Sequence, residues 1–99
     1  MPDDEICLVA HLKAKPGKEA ALAQAVAAIV PRVWAEPGCL GYTAHVSREE
    51  PGTIVMYEVW ADQGALDTHA KAPALSSLAA RFDELLAEPL GLEPLRRIA

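Results

Sequence analysis

The sequence predicts an α+β domain of order βαββαβ: one antiparallel four-stranded sheet with helices on one side. Three observations carry this. Apolar and polar residues alternate with a period of two at 5–13, 39–47 and 53–61. Apolar stripes with the helical period of 3.6 fill the stretch between the first two segments and follow the third. Pro-Gly pairs at 16–17, 37–38 and 51–52 mark joins between elements.

The first strand, "EICLVAHLK", sends Ile6, Leu8, Ala10 and Leu12 one way and Cys7, Val9, His11 and Lys13 the other. An Ala-rich helix over 18–36 follows, with Leu22, Val26, Ile29 or Val30, and Val33 on its apolar stripe. Pro31 removes one helical hydrogen bond, so a kink or a loosened last turn is expected there. Trp34, late in this helix, is expected to pack against the sheet. The second strand groups Leu40, Tyr42, Ala44 and Val46 against Cys39, Thr43 and His45. The third, "TIVMYEVWA", is the richest in β-branched and aromatic residues and puts Ile54, Met56, Glu58 and Trp60 on one face. Asp62 is a good N-cap for a short helix at 63–71, where Leu66, His69 and Ala70 share a side. Pro73 opens a further helix whose stripe runs through Leu75, Leu78, Ala79, Phe82, Leu85 and Leu86. Residues 89–98 hold two prolines and a glycine and read as a poor edge strand.

Two interleaved right-handed βαβ units make a ferredoxin-like sandwich with spatial strand order 4-1-3-2. The third strand then separates Cys7 from Cys39 by roughly 9–10 Å, beyond disulfide reach, so both thiols are expected to be free. The face away from the helices keeps Val9, Val55, Tyr57 and Val59. Such a face aggregates or pairs, and stacking on a second copy to form a homodimer is the simplest solution.

At 99 residues the chain reads as one domain, 1–99. Its formal net charge of −5, with no basic run, argues against a nucleic-acid partner. No apolar stretch approaches the ~20 residues of a membrane span. "MPDDEI" lacks the basic start of a secretory signal, and the expected location is cytoplasmic. The cysteines and histidines have no metal-ligand spacing, so no metal site is expected.

Three motifs occur together and in order: "KAKPGKEAAL", "AEPGCLGYTAH" and "VMYEVWADQGALDTHAKAP". With them the chain resembles the antibiotic biosynthesis monooxygenase superfamily of dimeric α/β barrels, over most of its length. The resemblance implies a homodimer. Among such proteins, some oxidise quinols, anthrones or related phenols with O₂ and without flavin or metal; others degrade haem or isomerise a phosphorylated signalling molecule. Met56 stands where some aromatic oxygenases carry Asn. Ala10, Ala79 and Ala80 stand where haem-degrading members carry an Asn and the haem-ligating His, which argues against haem degradation.

Cofactor-free oxygenation needs an apolar pocket, an aromatic wall and one base that titrates near neutral pH. His69 is the candidate base, since imidazole is the side chain that titrates nearest working pH. Trp60 is the candidate wall, and Glu58, on the same strand face, the candidate partner of His69 or of a substrate hydroxyl. The competing readings are a helix-end His on a loop carbonyl, a core Trp, and a Glu paired with Arg81 or Lys71 or across a dimer. Leu12, Met56, Leu66 and Phe82 are assigned to substrate contact. Arg81 is assigned to an anionic substrate group, against a solvated ion pair. The expected activity is therefore a cofactor-independent monooxygenase acting on a quinol or related phenol, with a small aromatic molecule and O₂ as partners. The alternatives are an isomerase of a small ketone, and a dimer that binds an aromatic ligand without turnover.

Overall fold

A computed structural model describes residues 4–99; the first half of "MPDDEI" lies outside the described residues. The elements are β1 (Ile6–Lys13), α1 (Glu19–Trp34), β2 (Cys39–Val46), β3 (Thr53–Trp60), α2 (Gln63–Lys71), α3 (Pro73–Ala79), α4 (Phe82–Leu85) and β4 (Gly91–Leu95). The sheet is antiparallel throughout, in the order β2-β3-β1-β4. This is the expected order read from the other edge. With β3 between β1 and β2, Cys7 and Cys39 are both free.

Register follows the alternation. Leu8 faces Glu58, Ala10 faces Met56 and Leu12 faces Ile54 across the β1–β3 pair. Residues directly opposite share a face of the sheet, so these side chains form one surface, apolar except for Glu58. Leu22, Val26, Ile29 and Val33 of α1 and Leu78 of α3 close over it and are buried with it. Helix α1 runs on past Pro31 to Trp34, without a break.

The structure departs from the sequence expectation at three places. The last helix is two pieces, because the chain tightens into a turn at Ala80 and Arg81, where the Arg81 N–H donates to the Leu78 carbonyl three residues back instead of four. Backbone bonds from Lys15 N–H to the Leu85 carbonyl and from Ala87 N–H to the Lys13 carbonyl, each 2.8 Å, draw this segment onto the end of β1. A continuous helix could not make those bonds. Leu40 is 60% exposed instead of facing the helices. A bulge explains it: Cys39 pairs with Trp60 and Gly41 with Val59, so Leu40 is the extra residue and turns outward. Trp34 does not pack into the sheet; it is 58% exposed, and its indole N–H donates to the Tyr42 carbonyl at 2.8 Å. That bond occupies a carbonyl of edge strand β2. Leu92 on β4 is 58% exposed, because β4 extends beyond the cover of the helices.

Among the described residues, no helix covers the opposite face of the sheet. Tyr57 and Leu95 are exposed there, Val9, Val55 and Val59 are half-buried, and a shallow depression runs between Leu40, Tyr57, Val59 and Leu95. His11 and His45 flank Val55 on this face, both exposed, and His45 Nε2 lies 2.8 Å from Thr43 Oγ1.

Candidate active site

Three segments far apart in sequence converge at one end of the core. β3 supplies Glu58 and Trp60, two residues apart and so on one face. α2 supplies His69. Its start is fixed by Asp62, whose side chain accepts a hydrogen bond from the Ala65 N–H at 2.8 Å. Leu66, His69 and Ala70 then point at the sheet. The turn between α1 and β2 supplies Glu36.

His69 is 3% exposed and Glu58 4%. The Nδ1 of His69 lies 2.8 Å from Glu36 Oε1. Its Nε2 lies 3.9 Å from Glu58 Oε1, which accepts the Trp60 indole N–H at 3.0 Å. The indole stacks on the imidazole with ring centres 4.5 Å apart and planes at 29°. Tyr42 meets the imidazole edge-on at 5.4 Å. The imidazole thus has an aromatic wall on two sides and a carboxyl group near each nitrogen.

A cavity of about 100 Å³ opens beside it. Leu12, Met56 and Leu66 line it, with Leu8, Ala10 and Leu78. Its polar groups are Glu58, His69 and Tyr42, and no Lys or Arg is among the described residues that line it. Leu92, both lining and exposed, marks the side on which it meets solvent.

Three sequence expectations are corrected by this geometry. Trp60 does not form the cavity wall; it is 0% exposed and lies behind the imidazole, and the aromatic residue in the wall is Tyr42. Phe82 sits instead at a separate surface depression with Lys15 and Leu86. Arg81 is on the surface, where its Nε donates to Glu84 Oε1 at 2.9 Å. The break at Ala80 and Arg81 is the cause for Phe82, since it takes that residue off the stripe that continues Leu75 and Leu78. Glu36 and Tyr42 were missed. Both lie in the "AEPGCLGYTAH" motif, and Tyr42 falls on the helix side by alternation, but nothing in the sequence pairs Glu36 with His69. His11 and His45 lie outside the cavity lining. Among the described residues no group of three or more His, Cys, Asp or Glu side chains is arranged to hold a metal ion.

Burial is the main force on the Glu58 carboxyl and pushes its pKa above the usual carboxylate range. The Trp60 N–H and the imidazole oppose this, and the charge of Glu36 adds to it. The Tyr42 phenol is also pushed up, first by burial and then by the charges of Glu58 and Glu36. A carboxyl with a raised folded-state pKa holds its proton longer than the unfolded chain does. Its contribution to stability is whole below the ordinary carboxylate pKa and is lost as pH rises through the folded-state value. Glu58→Gln keeps an acceptor for Trp60 without the titration. Urea midpoints of the wild type are therefore expected to fall relative to Glu58→Gln as pH rises from about 4 toward neutrality. Parallel pH curves for the two proteins would contradict a raised Glu58.

The turn that carries Glu36 is clamped to the helix that carries His69. Gly38 has φ +78°, and a β-carbon built on it would lie 2.5 Å from the Ala65 β-carbon. The Gly38 carbonyl accepts the Ala61 N–H at 2.8 Å. Gly38→Ala is expected to destabilise the fold by about 1–2 kcal/mol from the left-handed backbone alone. The contact with Ala65 adds to that, so Ala65→Gly in the same chain should restore part of the loss in urea denaturation.

The sequence profile of the antibiotic biosynthesis monooxygenase family matches residues 5–81, from the start of β1 to the break after α3. The chain belongs to that family. It is 29% identical, over 88% of its own length, to the uncharacterized Synechocystis protein sll1783, and spans 59% of that protein. It is 32% identical to "Putative monooxygenase YcnE" of Bacillus subtilis, over 86% of this chain and 90% of that one. The solved structure of PA3566 from Pseudomonas aeruginosa superposes with a TM-score of 0.91 at 30% identity, covering 97% of this chain and 96% of that one. Rv0793 from Mycobacterium tuberculosis gives 0.89 at 26% identity, covering 96% of each chain. The architecture of this family member is the ferredoxin-like one expected from the strand order. No helix among its described residues is long and apolar enough to cross a membrane.

Proposed function

We propose that this family member is a cofactor-independent monooxygenase of a small phenol or hydroquinone, with His69 as the base. One observation carries the reading: a buried imidazole, tied at Nδ1 to Glu36, sits with its Nε2 toward Glu58 at the wall of an otherwise apolar cavity. A substrate hydroxyl gives its proton to Nε2, and the resulting anion passes an electron to O₂. One oxygen atom bonds to a ring carbon that loses its hydrogen; the O–O bond breaks, and the other atom leaves as water. A phenol and O₂ become a quinone and water, and the four electrons come from the ring. The apolar walls keep bulk water from the radical pair. Glu58 shares one oxygen with Trp60 and has its second for the substrate hydroxyl.

Size and charge narrow the substrate. At about 100 Å³ the cavity is well below the roughly 300 Å³ at which ordinary ligand pockets begin, which favours a single ring over a polycyclic anthrone. A phosphorylated ketone would meet the Glu58 carboxyl and no Lys or Arg among the described lining residues, which disfavours the isomerase alternative. The test is O₂ uptake above autoxidation with one-ring and two-ring hydroquinones. Saturable uptake with quinone formation, faster for one ring, supports the reading. Binding without O₂ uptake would replace it with a ligand-binding role.

A second copy is the proposed cover for the open sheet face. Leu40, Tyr57 and Leu95 are exposed on it beside half-buried valines, and apolar patches of this kind mark association surfaces. The wild type is expected to sediment as a dimer and Tyr57→Arg as a monomer; a monomeric wild type would refute the pairing.

A further inference from the structure

Glu36 reaches His69 from a turn 33 residues away, at Nδ1, while Nε2 lies toward Glu58 of the cavity lining. A carboxylate has only acceptor sites, so an imidazole nitrogen 2.8 Å from it must carry the hydrogen. In the neutral ring, that assigns the hydrogen to Nδ1 and leaves the lone pair on Nε2. The stack on Trp60 and the edge contact with Tyr42 hold the ring in plane, but neither distinguishes the two nitrogens. Glu58 does not make the choice either: its oxygen is 3.9 Å from Nε2 and is already taken by the Trp60 N–H at 3.0 Å. Glu36 is thus the group with the geometry to select the tautomer. Gly38, two residues on, lies against Ala65 of α2 so closely that a β-carbon there would not fit.

We infer that Glu36 is a positioning residue, which holds His69 as the Nδ1–H tautomer so that Nε2 is the free proton acceptor at the cavity. Glu36 does not touch the substrate: it is absent from the cavity lining and acts through the imidazole. The ligand this selects is a neutral molecule that donates a hydroxyl to Nε2. A ligand that offers only an acceptor, such as a ketone or a methyl ether, meets the wrong end of the ring.

The inference deepens the proposed function, and its kinetic consequence rests on His69 being the base; the tautomer itself does not. The test uses the full chain with ¹⁵N-labelled histidine. In the wild type, the nitrogen shifts of the neutral His69 ring should report Nδ1 protonated and Nε2 bare. In Glu36→Gln, which conserves size, they should move to a mixture or to the reverse assignment, while the far-UV spectrum and the thermal midpoint change little. The same variant should lose at least tenfold in kcat on a hydroquinone with KM nearly unchanged, since cavity contacts remain. Affinity should fall for the hydroquinone's dimethyl ether relative to the parent in the wild type, and this preference should weaken in Glu36→Gln. Unchanged His69 shifts in Glu36→Gln would overturn the positioning role. Moved shifts with undiminished kcat would overturn its bearing on turnover. If no hydroquinone is turned over by the wild type, the monooxygenase reading fails by itself, and the shifts still decide whether Glu36 sets the tautomer.

Discussion

Replacing His69 by Gln is expected to lower kcat on a hydroquinone by about 10²–10⁴-fold, the usual range for removal of a positioned general base. Gln is chosen because it fills most of the space and can keep one hydrogen bond to Glu36, so the loss reflects the missing proton acceptor. KM should change little, because the walls at Leu12, Met56 and Leu66 are untouched. The steric consequences are contained: the ring is 3% exposed, stacked on Trp60, and a shorter planar group still covers the indole face. Folding is checked by circular dichroism and the thermal midpoint, and turnover by O₂ uptake. A variant that folds and keeps more than about a tenth of wild-type kcat would remove His69 from the chemistry. The cavity would then serve binding alone, or the acceptor would be Glu58.

The largest effect on stability is expected at Trp60. It is 0% exposed, faces Ile6 on β1 and Cys39 on β2, and stacks on His69. Trp60→Ala empties the centre of the helix-side layer at the site end and should cost about 3–5 kcal/mol. Domains of this size have roughly 5–15 kcal/mol in total, so the variant would sit near the edge of folding. It also takes the indole N–H from Glu58, whose carboxyl is pushed toward its neutral form by burial and would be pushed further. Trp60→Phe separates the two effects. It keeps an aromatic ring against the imidazole and loses the donor, and should cost about 1–3 kcal/mol for the buried acceptor left unpaired. Urea denaturation measures both. A Trp60→Ala variant less than 1 kcal/mol below the wild type would mean that the core collapses around the gap, and that the indole is not the support on which His69 rests.

These two residues also illustrate what could be read before any coordinates. The alternation in "TIVMYEVWA" put Glu58 and Trp60 on the helix-covered face, and the Asp62 cap fixed the phase of α2, so His69 had to look at the sheet. Both are local effects with periods of 2 and 3.6, and local periods are legible in one sequence. What Trp60 does there was not legible. Wall and support differ by a few ångströms of depth, and depth depends on how far α2 packs onto β3. Glu36 was hidden for a related reason: its partner lies 33 residues on, and only the close approach of Gly38 to Ala65 brings the two together. Phe82 went the other way. Its helical spacing from Leu75 and Leu78 was real, but hydrogen bonds between residues 85–87 and the end of β1 outweighed two residues' worth of helix. Leu40 was lost to a one-residue bulge, which no alternation pattern predicts.

By itself, the sequence determined the βαββαβ order, the strand order, the separation of the two thiols and, outside the bulge at Leu40, the faces of the three long strands, because each follows from short-range geometry and the handedness of βαβ connections. Only the tertiary structure decided which carboxyl meets which imidazole nitrogen, how small the hollow is, and which end of the last helix turns away. Those outcomes are distances between segments, set by the packing of every side chain at once, and no window of sequence contains them.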